Sequence, residues 1–235
     1  MITFFTLILI LLAVAGIFAL RPVTARIQTV FHSNPVVNTQ IKFQSLQLVL
    51  TAIVLLLVYF LNPENFARFF RVGDVNVHIS KIAWLGVTGN ETWLEIATSI
   101  GLFITLGTAI FMFFQLKKAG VDYRYFLFSL FWSIPFSMAN AFSEEAIFRI
   151  GIISPLYGIF SVSVIVLISG VVFGAPHYFG MPSGVVGAVM AGFLGWLLAM
   201  SLVETHGLLI AWAIHFVQDV VIITSTILMS KKRVS

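Results

Sequence analysis

The chain has 235 residues, of which 60% are hydrophobic and 9% charged, with a formal net charge of +4 and a mean hydropathy of +1.05. A typical soluble protein carries about 25% charged residues, so an ordinary cytoplasmic globular domain, a disordered chain and a nucleic-acid binder are all excluded. There is no cysteine, which removes disulfides, thiolate metal sites and a cysteine nucleophile and leaves a polytopic membrane protein whose few intramembrane charges point to function.

A membrane-crossing helix needs about 20 mostly apolar residues. Seven stretches meet or approach this: Ile2–Leu20, Phe43–Leu61, Ile96–Leu116, Tyr125–Phe142, Ile147–Phe173 with breaks, Val185–Val203 and Leu208–Met229. The fourth and fifth nearly merge across Glu144–Arg149 and are read as two helices with a turn between them. A short further helix is placed at Val75–Val87. The expected fold class is therefore all-α, a polytopic transmembrane bundle of about seven to eight helices. Residues 1–95 are the N-terminal helices and polar loop, and residues 96–235 the bundle that carries the chemistry. Ala13-Val14-Ala15 imitates a signal-peptidase site, but no positive region precedes the apolar run, so the first helix is expected to stay uncleaved.

Nine basic residues (Arg21, Arg26, Lys42, Lys117, Lys118, Arg124, Lys231, Lys232 and Arg233) fall on one side of seven alternating spans, and Arg68, Arg71 and Lys81 on the other. Lysine and arginine counts near the spans set topology, which gives N-out, C-in. Asn62–Thr92 is the long polar connection, and its Asn90-Glu91-Thr92 matches a glycosylation sequon. Small residues four apart, Gly170/Gly174, Ala188/Gly192 and Ala191/Gly195, predict close helix packing.

Three polar clusters interrupt apolar sequence. In the first, Glu144 and Glu145 are adjacent and Arg149 follows; Glu145 and Arg149 are four apart and can pair on one helical face, while Glu144 points away and is free for another task. In the second, Phe173-Gly174-Ala175-Pro176-His177, proline bends the chain and presents His177 at a break. In the third, His215 and Asp219 share one face of the last helix, where the carboxylate can fix the imidazole tautomer or join it in binding a ligand. Together the clusters supply a carboxylate and a histidine that can deprotonate a water, with a second histidine for an oxyanion. That is the inventory of a hydrolase without serine or cysteine.

In order, Glu144-Glu145-x-x-x-Arg149, Phe173-x-x-x-His177 and His215-x-x-x-Asp219 resemble the EExxxR, FxxxH and HxxxN/D motifs of the CPBP family. This is the family of CAAX-protease and bacteriocin-processing intramembrane proteases, also called Abi, which includes the Rce1-type prenyl-protein endopeptidases. The resemblance spans about Trp132–Thr224. It implies an intramembrane endopeptidase acting on a membrane-attached protein or peptide. It implies Glu144 as general base with His177, and His215 with Asp219 as the oxyanion site. Glu145 and Arg149 would support and orient Glu144, and Phe173 would pack. Two departures stand out: Ile150 replaces a frequent glycine, and Asp219 stands where the prenyl-protein enzymes have asparagine. An aspartate donates to an oxyanion only when protonated, so it is expected to orient His215 or bind a metal.

The expected partners are membrane lipid and a membrane-attached substrate, with no nucleic acid, in a bacterial inner membrane. A metal-independent glutamate mechanism is favoured. A zinc alternative would use Glu144, His177 and His215 as ligands with a position left for water. Rival readings are a non-catalytic membrane scaffold, a proton-coupled transporter using the same charges, and bis-histidine haem binding through His177 and His215. The active-site reading sets a condition on depth: the chain must reverse near Gly158–Ser161, with Pro155 still inside the preceding helix, for Glu144 and His177 to reach the same level.

Overall fold

The computed structural model of the chain describes residues 2–180 and 182–231, apart from the side chains of residues 2–7, 9 and 10. Nine α-helices follow one another: α1 (Ile2–Arg26), α2 (Pro35–Leu61), α3 (Pro63–Phe69), α4 (Trp93–Ala119), α5 (Phe126–Glu145), α6 (Gly151–Leu156), α7 (Val162–Gly174), α8 (Gly184–Thr205) and α9 (Leu209–Met229). Among the described residues, six stretches are long and apolar enough to cross a membrane: α2, α4, Tyr123–Leu156, Val162–Phe179, α8 and α9. The protein is an all-α integral membrane protein with several passes. Much of the expected first span falls on the undescribed side chains of α1, and Lys232 and Arg233 of the basic tail lie outside the described residues.

Burial sorts the helices into inner and outer. The most apolar window of α9 is 56% buried and that of α4 only 17%. A helix that is apolar all round suits lipid on one face and protein on the other. α9 packs against α5, α4 and α8; α7 packs against α8; and α1 and α2 pack together and close on α5 and α6. Polar ties join α9 to α4: Thr108 Oγ1 donates to Gln218 Oε1 at 2.7 Å, and Gln218 Nε2 donates to Thr105 Oγ1 at 2.6 Å.

The local sequence explains the ends. Asn34 accepts from the amides of Val36 and Val37, with Pro35 at the first helical position of α2, where a missing N–H costs nothing. Thr92 and Glu95 form a reciprocal capping box at the start of α4, so the sequon residue Thr92 is the N-cap of that helix.

Two expected elements differ. No helix occupies Val75–Val87; that segment holds a single 3-10 turn at Ala83–Leu85 between isolated bridges, and the short additional helix is α3, capped by Asn62 and started by Pro63. The predicted turn at Glu144–Arg149 is also absent. α5 runs through a π-helical segment, Ala146–Ile150, directly into α6, so the two expected helices are one long rod. The reversal comes at 157–161. There Gly158 takes a left-handed φ of +84°, a backbone state that glycine enters without steric cost. Asn65 of α3 donates to the carbonyls of Ser154 and Tyr157 at 3.0 and 3.1 Å, satisfying acceptors at the helix end. Pro155 lies inside α6, one helical turn before the reversal.

Candidate active site

The site begins at the π-helical segment. Widening the helix by one residue per turn displaces carbonyls from their usual partners, and such bulges are frequent at functional sites. The Phe148 carbonyl is met by Ser169 Oγ of α7 at 2.8 Å. All five residues of the segment are buried, and Arg149, its fourth residue, is fully buried. Its Nε lies 3.0 Å from Glu145 Oε2 and its Nη2 donates to Glu145 Oε1 at 3.2 Å. The guanidinium stacks over the Phe173 ring, 4.4 Å from the centroid, so the buried cation has both a counter-charge and an aromatic face.

Glu145 has a second partner. His215 Nδ1 lies 2.8 Å from Glu145 Oε1. An ionised carboxylate only accepts, so Nδ1 bears a hydrogen. The sequence reading gave Asp219 the task of orienting His215 and gave Glu145 that of orienting Glu144. In the structure Glu145 makes the direct hydrogen bond to His215. Asp219 Oδ2 stands 3.6 Å from the other ring nitrogen, Nε2, and Glu144 Oε2 stands at the same 3.6 Å.

Glu144 and Asp219 are joined by a residue that sequence reasoning passed over. Asn140, one turn before Glu144, donates through Nδ2 to Glu144 Oε1 at 3.2 Å and to Asp219 Oδ2 at 2.9 Å. Its own carbonyl accepts from Gln44 Nε2 of α2 at 3.3 Å, which fixes which end of the amide faces the carboxylates. The i−4 spacing from Glu144 was the available signal for Asn140. Nothing in the sequence places Gln44 beside them.

His177 follows α7 in a 3-10 turn, Ala175–Phe179. Its Nδ1 bonds to the Phe173 carbonyl at 2.9 Å. A carbonyl cannot donate, so Nδ1 bears the hydrogen and a neutral ring keeps its lone pair on Nε2. Phe173 contacts both histidines, with ring centroids 4.8 Å from His177 and 5.6 Å from His215. Glu144 and His177 line one cavity of about 410 Å³, together with Arg21, Phe18 and Ile17 of α1 and Phe43 of α2. A second cavity of about 310 Å³, lined by Glu145, Arg71, Phe142, Leu208 and Trp212 among others, opens on the other glutamate. The adjacent glutamates therefore line different spaces.

The structure thus gathers Glu144, Glu145, Arg149, Phe173, His177, His215 and Asp219 around one centre. Among the described residues, no three His, Asp or Glu side chains are arranged to hold a metal ion. The Asn140 amide, a hydrogen-bond donor, bonds to both Glu144 and Asp219.

Buried carboxylates and histidines held between the long helices of a polytopic bundle define a membrane-embedded protein with a buried polar cluster. The family model described as type II CAAX prenyl endopeptidase Rce1-like matches residues 126–221. That segment is similar to the Rce1-like, CPBP-type family, and all three motifs fall inside it. The chain has no significant match among curated proteins or among solved structures.

Proposed function

We propose that the protein hydrolyses a peptide bond of a membrane-attached protein or peptide, using a water activated by Glu144 and His177. The observation that carries this reading is the shared cavity. Glu144 and His177 reach it from different helices, and Glu144 Oε2 is buried without a hydrogen-bond donor among the described residues. A carboxylate oxygen and an imidazole Nε2 with free lone pairs are what abstraction of a proton from water requires.

In this mechanism the water proton passes to Glu144, with His177 Nε2 holding the water in line. The hydroxide oxygen bonds to the scissile carbonyl carbon. The resulting oxyanion takes a hydrogen bond from Nε2–H of a doubly protonated His215, whose Nδ1–H donates to Glu145 and whose positive charge is faced by Asp219. A fixed donor aimed at developing charge contributes most when water is excluded. Collapse breaks the C–N bond, and the proton held by Glu144 leaves with the amine. No step uses a metal, so chelation is expected to leave turnover unchanged, and purified active protein to contain no stoichiometric zinc.

The deciding experiment compares protein termini in membranes of cells carrying wild type or Glu144→Gln at matched expression. New termini present only with wild type establish the protease and name its substrate. Identical termini under several growth conditions overturn it, and proton flux in liposomes then tests transport. With a substrate in hand, His177→Gln is expected to lower kcat by about 100-fold or more.

A further inference from the structure

The cavity that holds Glu144 and His177 contains a charged group outside the three motifs. Arg21, near the C-terminal end of α1, lines it beside Ile17 and Phe18. Its Nη1 donates to the carbonyl of Phe179 at 3.3 Å, in the turn that carries His177. That bond uses one N–H of the guanidinium. No acidic side chain among the described residues lies within ion-pair distance of Arg21, although Glu144 lines the same space. Arg21 is thus a cation turned towards a largely apolar cavity, with most of its donor fork unspent.

We propose that Arg21 is a specificity-determining residue that binds a carboxylate of the peptide occupying this cavity. The charges set the orientation. An anionic group entering beside Glu144 is repelled by the like charge. Among the described lining residues Arg21 is the permanent cation that reverses it. A peptide therefore lies with its carboxylate at Arg21 and its backbone running inward past His177 to Glu144. A guanidinium engages a carboxylate through two parallel N–H···O bonds, which a lysine cannot reproduce. The carboxylate has two sources, the free C-terminus of the peptide or an acidic side chain.

The proposal deepens the proteolytic reading and rests on it for which molecule binds, but its test needs no turnover. The full chain carrying Glu144→Gln is purified in detergent. Its affinity is measured by fluorescence anisotropy for a dye-labelled apolar hexapeptide of alternating alanine and leucine. The peptide is made with a free C-terminal carboxylate, as the C-terminal amide, and as the amide with one internal glutamate. The same series is run with Arg21→Gln and Arg21→Lys added.

The expected result is that one carboxylate form binds about tenfold or more tightly than the plain amide, the scale of a charge-assisted bond. Which form does so identifies the source. With Arg21→Gln that preference disappears while amide binding is retained, and Arg21→Lys restores it in part. Equal affinity for all three peptides, no binding of any, or a preference that survives Arg21→Gln overturns the proposal and leaves Arg21 as a tie between α1 and the His177 turn. Amide binding that is lost with Arg21→Gln but restored by Arg21→Lys without any carboxylate preference also overturns it. Termini that fail to differ between wild type and Glu144→Gln overturn proteolysis without touching this binding result.

Discussion

Glu145 serves two cations or potential cations at once, Arg149 along its own helix and His215 across to α9. Removing one member of a buried pair leaves the other without compensation, so Arg149→Leu is expected to destabilise the protein by about 3–5 kcal/mol. Adding Glu145→Gln to that variant should recover part of the loss, because the orphaned charge is then gone. A double-mutant cycle followed by denaturant unfolding in mixed micelles measures both. Asn140 acts differently, by holding two acidic oxygens apart with one amide. Asn140→Leu is expected to lower kcat about tenfold with little change in KM, since the lost hydrogen bonds position Glu144 and Asp219; an effect on KM alone would contradict this. His206 closes α8 in a left-handed conformation with φ 52°. Partial burial and then the nearby Arg68 and Arg71 hold its pKa below the ordinary 6.5. The neutral ring is therefore favoured in the folded state, and the unfolded chain takes up the proton first as pH falls through about 6.5. The sign is a loss of stability on acidification. His206→Asn keeps a residue tolerant of this backbone state and is expected to flatten the unfolding midpoint between pH 7 and pH 5, both values being about the range where histidine titrates.

At the scale of the elements, the contact between α7 and α8 positions His177. A Cβ added to Gly174 would stand 2.5 Å from the Ala188 carbonyl oxygen and 2.9 Å from the Gly192 Cα. These are rigid backbone atoms, so Gly174→Ala is expected to force the helices apart at a cost of about 1–3 kcal/mol and to displace the His177 turn. Lower unfolding stability together with lower activity checks it; an unchanged variant would show that α7 and α8 have slack. Here the small-residue spacing in the sequence anticipated the packing, because a surface that lets two backbones approach can be read without knowing the partner. The course of the chain through Glu144–Arg149 was not readable in the same way. An apolar run with charges in it looks like a break, and only the pairing of Arg149 with Glu145 and of Ser169 with the Phe148 carbonyl lets the helix continue through as a π-segment.

For the molecule as a whole, the membrane character follows from composition, since 9% charge cannot cover a soluble surface, and the helical class follows because lipid requires backbone groups to be satisfied within each span. The sequence also singled out the buried polar side chains of the candidate site, because a buried charge is costly enough to be rare and therefore conspicuous. What the sequence left open was who pairs with whom. Spacing along one helix suggested Asp219 for His215, and the packing of α5 against α9 added Glu145 as the direct hydrogen-bond partner, with Asp219 3.6 Å from the other ring nitrogen. Gln44 and Asn140 are ordinary polar residues in or near an apolar stretch, and Arg21 stood out only as one of the basic residues that set topology. Their places in the hydrogen-bond network and cavity of Glu144 arise only when α1 and α2 close on α5 and α6. Local spacing governs contacts within a helix; contacts between helices depend on register and crossing geometry, which are settled by the packing of whole faces and therefore by the tertiary structure alone.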